Sequence, residues 1–292
     1  MNDGGVLACA VNPTACRERL WDLRPVLKKK TVIVVGGGLG GMEAARVLTE
    51  RGHKVILYEK EKDLGGHLLE ASAPEFKKDL RRLLAWYKNQ MKKLEIEIHT
   101  ETEVSEELVN KKQPDEVILA TGSTPIIPNI PGIDKPKVMT AIDLYLGRQK
   151  PGDEVVVVGG GLIGCETALW LAQKGKKVTI VEKLPKLMPT AIEHNANKEL
   201  LVDMLVFNGV KIMTNTALAE VTNDGVRIVK SNLDVQPLSC STVVLAVGLT
   251  PKSALEEVLT QKKYRVHKVG DCQEPRLILN AIWDGYRIGN AI

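Results

Sequence analysis

Uncharged runs of β-branched residues alternate along this chain with stretches whose apolar positions recur every three or four residues, a pattern that predicts strands interleaved with helices. The first run, Thr31-Val-Ile-Val-Val35, leads into Gly36-x-Gly38-x-x-Gly41, and the helical pattern of Met42 to Thr49 follows. The reading is strand, tight turn, helix. Gly36 permits the turn, Gly38 has no Cβ to obstruct a pyrophosphate, and Gly41 lets the helix lie close to the strand. The N–H groups of the first helical turn, with the helix dipole behind them, then face two phosphates. Val55-Ile-Leu-Tyr-Glu59 is a second strand, ending in a carboxylate placed to accept from a ribose diol. A glycine fingerprint alone is weak evidence; flanking strands and an acid about 20 residues on make it specific.

In Asp63-Leu-Gly65-Gly66-His67, paired glycines allow the backbone to approach something flat or charged, and a plain loop fits as well. His67 has no second ligand nearby in sequence and reads as a loop histidine, not a metal ligand. Glu75 to Lys93 predicts a long amphipathic helix with Phe76, Leu80, Leu83, Leu84, Tyr87 and Met91 on one face. Ile96 to Thr100 alternates like a strand, and Glu116 to Gly122 is a buried strand ending in Ala120-Thr121-Gly122. Pro125, Pro128 and Pro131 make Ser123 to Ile133 an extended connector and a natural domain edge.

The pattern then repeats. Glu154-Val-Val-Val-Val158 enters Gly159-x-Gly161-x-x-Gly164, a helix is predicted over Glu166 to Lys174, and Val178-Thr-Ile-Val-Glu182 ends in another acid. Gly36 to Glu59 and Gly159 to Glu182 are each separated by about 23 residues, and two such copies indicate two dinucleotide sites. A helix over Lys198 to Phe207 gives way to strands over Val210 to Thr214, Leu218 to Thr222 and Val226 to Lys230, with Asn223-Asp-Gly225 a hairpin signal. These close a three-layer α/β domain. Val243-Val-Leu-Ala-Val-Gly248 mirrors the strand ending at Gly122. The pattern returns at Val266 to Gly270-Asp271, before Pro275 and a helix carrying Leu277, Ile278, Ala281, Ile282 and Ile288. Asp271 at the mouth of a helix suits a hydroxyl-rich ligand such as a ribityl chain, and helix capping explains it equally.

Length leaves room for two domains in 292 residues, and 40 basic against 36 acidic residues, with few aromatics and no basic stripe, argue against nucleic acid as a partner. Lys28-Lys29-Lys30 reads as a solvated lead-in to the first strand. No run approaches the roughly 18 apolar residues of a membrane span, and Met1-Asn-Asp-Gly-Gly5 has no basic region ahead of an apolar core. A soluble, cytoplasmic protein with no membrane partner is expected. Cys9, Cys16, Cys165, Cys240 and Cys272 are scattered and odd in number, unlike a secreted disulfide framework. Residues 1 to 28 carry Cys9-Ala-Val-Asn-Pro-Thr-Ala-Cys16-Arg-Glu18 and too few apolar positions for a core, so they read as an extension. Its two cysteines fit neither a redox CxxC nor a complete metal site, which needs about four ligands.

Taken in order, the two fingerprints with Glu59 and Glu182, Ala120-Thr-Gly122, Ala246-Val-Gly248 and Gly270-Asp271 resemble the two-dinucleotide-binding-domain flavoproteins. The resemblance implies an α/β fold of two Rossmann-like three-layer nucleotide-binding domains, the NAD(P)H domain inserted in the FAD domain. It implies an FAD-binding domain over 29–147 and 250–292 and an NAD(P)H-binding domain over 148–249. FAD is expected against Gly36, Gly38, Gly41, Glu59 and Asp271, and the nicotinamide cofactor against Gly159, Gly161, Gly164 and Glu182. Gly65, Gly66, Thr121, Gly122, Gly248 and Gly270 complete the expected cofactor-binding residues. Glu182 favours NADH over NADPH, because a carboxylate binds a free ribose hydroxyl and repels a 2′-phosphate; Lys183 and Lys186 soften that preference.

Within that group, the segment Cys9 to Glu18, Gly65-Gly66 and Cys272-Gln-Glu-Pro-Arg276 resemble the NADH:flavin oxidoreductases related to 2,4-dienoyl-CoA reductase, 2-enoate reductase and trimethylamine dehydrogenase. There a TIM barrel carrying FMN precedes four cysteines of a 4Fe-4S cluster. The resemblance makes Cys9 the fourth cluster ligand when the missing half is present in cis or trans, and makes this chain the C-terminal half. The implied activity is electron input: NADH to FAD, then toward the iron–sulfur cluster and FMN, with no catalytic side chain. Two rivals remain at this level. One is a non-redox ADP-binding module. The other is a pyridine nucleotide–disulfide reductase, which needs a reactive cysteine pair that isolated Cys240 and helical Cys165 do not supply.

Overall fold

The computed structural model describes residues 8–189 and 196–292; Met1 to Gly5, and Asn195 where the helical pattern begins to change, lie outside them. The chain forms two compact units, Met1–Thr124 with Thr250–Ile292, and Pro125–Leu249 inserted between them in sequence.

In the first unit five strands form a parallel sheet in the order Val266–Lys268, Glu116–Leu119, Thr31–Val35, Lys54–Tyr58, Glu97–His99. Successive side chains of a strand face opposite sides, so a run with no polar position must be covered twice. Val32 and Val34 pack with Met42, Leu48, Tyr87 and Ile282 from the helices Leu39–Glu50, Lys78–Lys93 and Ile278–Ala291. Ile33 and Val35 face the other way, against Val109 and Leu259 of the helices Glu106–Lys112 and Ala254–Gln261. Neither of these last two helices is evident from the sequence, because each offers only one or two apolar residues to the sheet.

The second unit repeats the design with a different third layer. Its parallel sheet runs Val138–Thr140, Thr242–Leu245, Glu154–Val158, Lys177–Val181, Lys211–Met213. Val155 and Val157 pack with Cys165, Leu171 and Leu205 of the helices Leu162–Gln173 and Ala196–Phe207. Val156 and Val158 meet Leu218, Val221, Val226 and Ile228 of an antiparallel sheet, Thr216–Val221, Gly225–Lys230 and Val235–Ser239. The Asn223-Asp-Gly225 hairpin forms as expected; its third strand was not legible, since Pro237 breaks the pattern of a strand interior.

Three further expectations are corrected. The first domain does not extend to residue 147: Val138–Thr140 pairs with Thr242–Leu245, and Ala141 and Leu144 enter the core of the second unit. The crossing falls instead at Thr124/Pro125, within the proline-bearing connector. The fingerprint helices begin at Leu39 and Leu162, several residues earlier than their apolar pattern, because glycines in a first turn hide helical periodicity. Glu75 to Lys93 divides into a 3-10 turn, Glu75–Lys77, and the helix Lys78–Lys93, which leaves Phe76 exposed. The described part of the N-terminal extension docks on the first unit: Trp21 stacks on Tyr286 and meets Trp283 edge-on, and Trp283 Nε1 donates to the Cys9 carbonyl at 3.0 Å. Among the described residues no helix is long and apolar enough to cross a membrane.

Glu116 begins an inner strand of the first unit and is 3% exposed. Lys30 Nζ donates to it at 2.7 Å, and His267 Nε2 lies 3.0 Å from its other oxygen. Burial works to raise its pKa, but these partners outweigh burial and hold it below the usual carboxylate value of 4.5. Its stabilisation is therefore complete above about pH 4.5 and is lost as pH falls through the lower folded-state value. Glu116→Gln is expected to cost about 2 kcal/mol at neutral pH in urea unfolding, with the difference from the parent disappearing in acid.

Candidate functional site

The first glycine turn is shaped by its neighbours. Gly36 has φ +108°, and a Cβ there would sit 2.3 Å from the Ala120 carbonyl oxygen. Only glycine combines that backbone with that approach. A Cβ on Gly41 would fall 2.0 Å from the Gly36 oxygen, so the helix start packs directly on the turn. Gly38 differs: the nearest atom to its Cβ position is Gly66 Cα, 3.9 Å away. The helix Leu39–Glu50 has Gly38 as its N-cap, with no side-chain cap and no acid in its first turn. Its leading N–H groups thus have no side-chain cap, the arrangement that suits a pyrophosphate.

Glu59 is 7% exposed, and both of its oxygens are anchored: Gly37 N donates to Oε2 at 2.7 Å and Glu61 N to Oε1 at 2.8 Å. The carboxylate ties the strand end to the glycine turn and retains lone pairs for a ligand hydroxyl. Gly65 N donates to the Gly37 carbonyl at 2.9 Å, and Gly66 faces Gly38 so closely that a Cβ would lie 3.0 Å from Gly38 Cα. Gly65-Gly66 is therefore a wall of the turn and not a free loop. Thr121 donates its hydroxyl to the Lys252 carbonyl, and Lys252 N donates to the Gly122 carbonyl at 2.9 Å.

Asp271 lies in the 3-10 turn Gly270–Cys272, while the N-cap of the helix Ile278–Ala291 is Leu277, so the capping alternative is set aside. Ser123 Oγ donates to Asp271 Oδ2 at 3.1 Å, and Arg276 N approaches Oδ1 at 3.4 Å. Gly270 N donates to Asp284 at 3.2 Å. His67, read from sequence as a loop histidine, occupies the N-cap of the helix Leu68–Ala71. Its Nδ1 is hydrogen-bonded to Glu70, and its Nε2 lies 3.1 Å from Ser123 Oγ. Ser123 and Glu70 are both buried. Nothing in the sequence signals this group, in which bonded partners such as Ser123 and Asp271 stand 148 positions apart.

The second unit carries the same construction. A Cβ on Gly159 would lie 2.4 Å from the Ala246 oxygen, one on Gly164 would lie 1.9 Å from the Gly159 oxygen, and one on Gly161 would meet nothing within 4 Å. Gly248 follows Ala246 at the end of the strand Thr242–Leu245. Glu182, 7% exposed, accepts from Gly160 N at 2.5 Å and from Leu184 N at 2.7 Å. Its helix also starts without a side-chain cap or an early acid.

All five cysteines are free. Burial pushes the Cys165 thiol up to about 12 and raises Cys240 and Cys272 as well, so these sulfurs stay protonated and unreactive at neutral pH. Among the described residues no three His, Cys, Asp or Glu side chains converge to hold a metal ion.

The model of the family described as pyridine nucleotide-disulphide oxidoreductase matches residues 30–285. Cinnamate reductase of Clostridium sporogenes is 37% identical over 288 residues, covering 98% of this chain and 43% of the relative. NADH oxidase of Thermoanaerobacter brockii is 36% identical over 289 residues, covering 97% and 44%. Among solved structures, 2-naphthoyl-CoA reductase in complex with 2-naphthoyl-CoA superposes with a TM-score of 0.91 at 33% identity, over 97% of this chain and 43% of that one. The chain spans less than half the length of these relatives.

Proposed function

We propose, from the fact that the chain belongs to the pyridine nucleotide-disulphide oxidoreductase family, that it is an FAD-dependent NAD(P)H oxidoreductase module serving as the electron-input part of a larger enzyme. The observation that carries this reading is the doubled cradle: in each unit a strand end, an uncapped helix start and an anchored carboxylate surround a glycine at which a Cβ would meet no clash. Bound FAD supplies acceptance of a hydride from NADH and release of electrons one at a time.

The chain's own residues bind and orient. In the first unit the N–H groups following Gly38 take the pyrophosphate of FAD, Glu59 takes the adenosine ribose, and Asp271 takes a ribityl hydroxyl. In the second unit Gly161 and the helix start take the pyrophosphate of NADH and Glu182 its ribose, where a 2′-phosphate would meet a fixed anion. Hydride transfer between two coenzymes needs no side-chain acid or base, and none is assigned.

The electrons leave toward an acceptor carried by the portion of the relatives that this chain does not span. We place there the 4Fe-4S cluster and the FMN-bearing TIM barrel that the family resemblance implies, together with the organic substrate, in keeping with relatives named for the reduction of cinnamate and of 2-naphthoyl-CoA. Cys9 offers one of about four thiolates a cluster requires, so it serves only alongside ligands from elsewhere.

Adding NADH to the chain supplemented with FAD, without air, is expected to bleach the flavin absorption near about 450 nm. Firm FAD binding with no bleaching by NADH or NADPH would leave a passive ADP-type holder in place of an electron-input module.

A further inference from the structure

Four polar side chains of the first unit form a chain that the phosphate cradle does not require: Glu70, His67, Ser123 and Asp271. The charged groups facing His67 are Glu70, from its own helix, and Asp271, from the turn Gly270–Cys272. Both are anionic, and Ser123 stands between the histidine and the second of them, 3.1 Å from each.

A hydroxyl has one proton to give. When both ring nitrogens of His67 carry hydrogen, Nδ1 donates to Glu70 and the Nε2 hydrogen points at Ser123, whose hydroxyl and carbonyl oxygens lie 3.1 and 3.2 Å away. The hydroxyl has no acceptor on the ring, so the Ser123 proton is directed to Asp271. When His67 is neutral, both ring nitrogens face an acceptor, Glu70 at Nδ1 and the Ser123 carbonyl at Nε2, and the charged Glu70, the stronger acceptor, keeps the remaining hydrogen on Nδ1. Nε2 then becomes an acceptor, the Ser123 hydroxyl turns toward it, and Asp271 Oδ2 loses its donor.

We propose that His67, acting through Ser123, is the positioning residue of Asp271: in its protonated form it fixes the carboxylate for a ribityl hydroxyl of FAD, and on losing its proton it releases that carboxylate and weakens FAD. The proposal rests on the reading of the first unit as the FAD site. Oδ1, approached by Arg276 N at a long 3.4 Å, is the oxygen left for the ligand. The Glu70 hydrogen bond, the largest influence, raises the His67 pKa above its ordinary value of 6.5 against the opposing effect of burial, and the charges of Glu70 and Asp271 add to it. The change therefore falls on the alkaline side of that value, with the tight form below it.

Calorimetric titration of FAD into the full chain between about pH 6 and pH 9 tests this. The parent is expected to lose affinity by about tenfold as pH rises. His67→Gln, whose amide always donates to Ser123, should bind tightly with no such slope; Ser123→Ala should bind weakly with no slope. Linkage demands the reverse effect in the unaltered protein, so saturating FAD should raise the His67 pKa followed by NMR of its ring protons. FAD binding with the same pH dependence in the parent and His67→Gln, or an unmoved His67 titration, overturns this proposal and leaves the FAD reading standing. No FAD binding at any pH overturns both.

Discussion

Gly38→Ala is expected to weaken FAD binding by at least about 100-fold while leaving the first unit as stable as the parent, whereas Gly41→Ala should destabilise that unit by about 3 kcal/mol or more. The two glycines are three positions apart and differ in what surrounds them. A methyl on Gly38 touches no protein atom closer than 3.9 Å, and the Gly38 backbone, at φ −74°, accepts alanine without strain. It projects into the space a pyrophosphate would fill. A methyl on Gly41 would meet a main-chain oxygen at 2.0 Å and Ala120 Cβ at 3.1 Å, and neither is the end of a flexible side chain. Urea unfolding separates the two variants, and quenching of FAD fluorescence reads the affinity. An unchanged FAD affinity in Gly38→Ala would mean that no phosphate passes there.

The second large effect is a double dissociation between the carboxylates. Glu182→Ala is expected to weaken NADH by about 100-fold with FAD affinity unchanged, and Glu59→Ala to do the opposite. Each substitution removes the proposed ribose acceptor and also strands two backbone donors, Gly160 N and Leu184 N in one case, Gly37 N and Glu61 N in the other. An unsatisfied buried N–H costs about 1–3 kcal/mol, so the glycine turn loosens in addition to losing a ligand contact. Calorimetry with each coenzyme checks both arms. A crossed result, with Glu59→Ala losing NADH and Glu182→Ala losing FAD, would exchange the proposed assignments.

Much of this was legible in the residues because glycine and β-branched runs act locally. The turn at Gly36 needs a positive φ, and Thr31 to Val35 is covered on both faces because it has no polar position to offer water. Glu59 and Glu182 have a structural task that their spacing does not reveal. Sequence spacing suggested ribose acceptors, while the structure gives them a prior task as anchors of the turn. Ala120 and Ala246 carry no sequence signal as contacts, yet their carbonyl oxygens are what forbid a side chain at Gly36 and Gly159. The connector bearing Pro125 is legible as an edge, whereas the bound at residue 147 fails because Val138–Thr140 is a three-residue strand whose place depends on pairing with Thr242–Leu245, about a hundred positions on. His67, Ser123 and Asp271 were individually visible or ignored, and only folding brings them together.

The parallel between Gly36 against Ala120 and Gly159 against Ala246 bears on how this sequence tolerates change. Each pairing is a main-chain oxygen pressed on a bare α-carbon, so no compensating substitution elsewhere restores the fit once either glycine is replaced. A library of single variants selected for expression alone should therefore show depletion at both positions in equal measure, while Gly38 and Gly161 stay permissive until a coenzyme is required for survival.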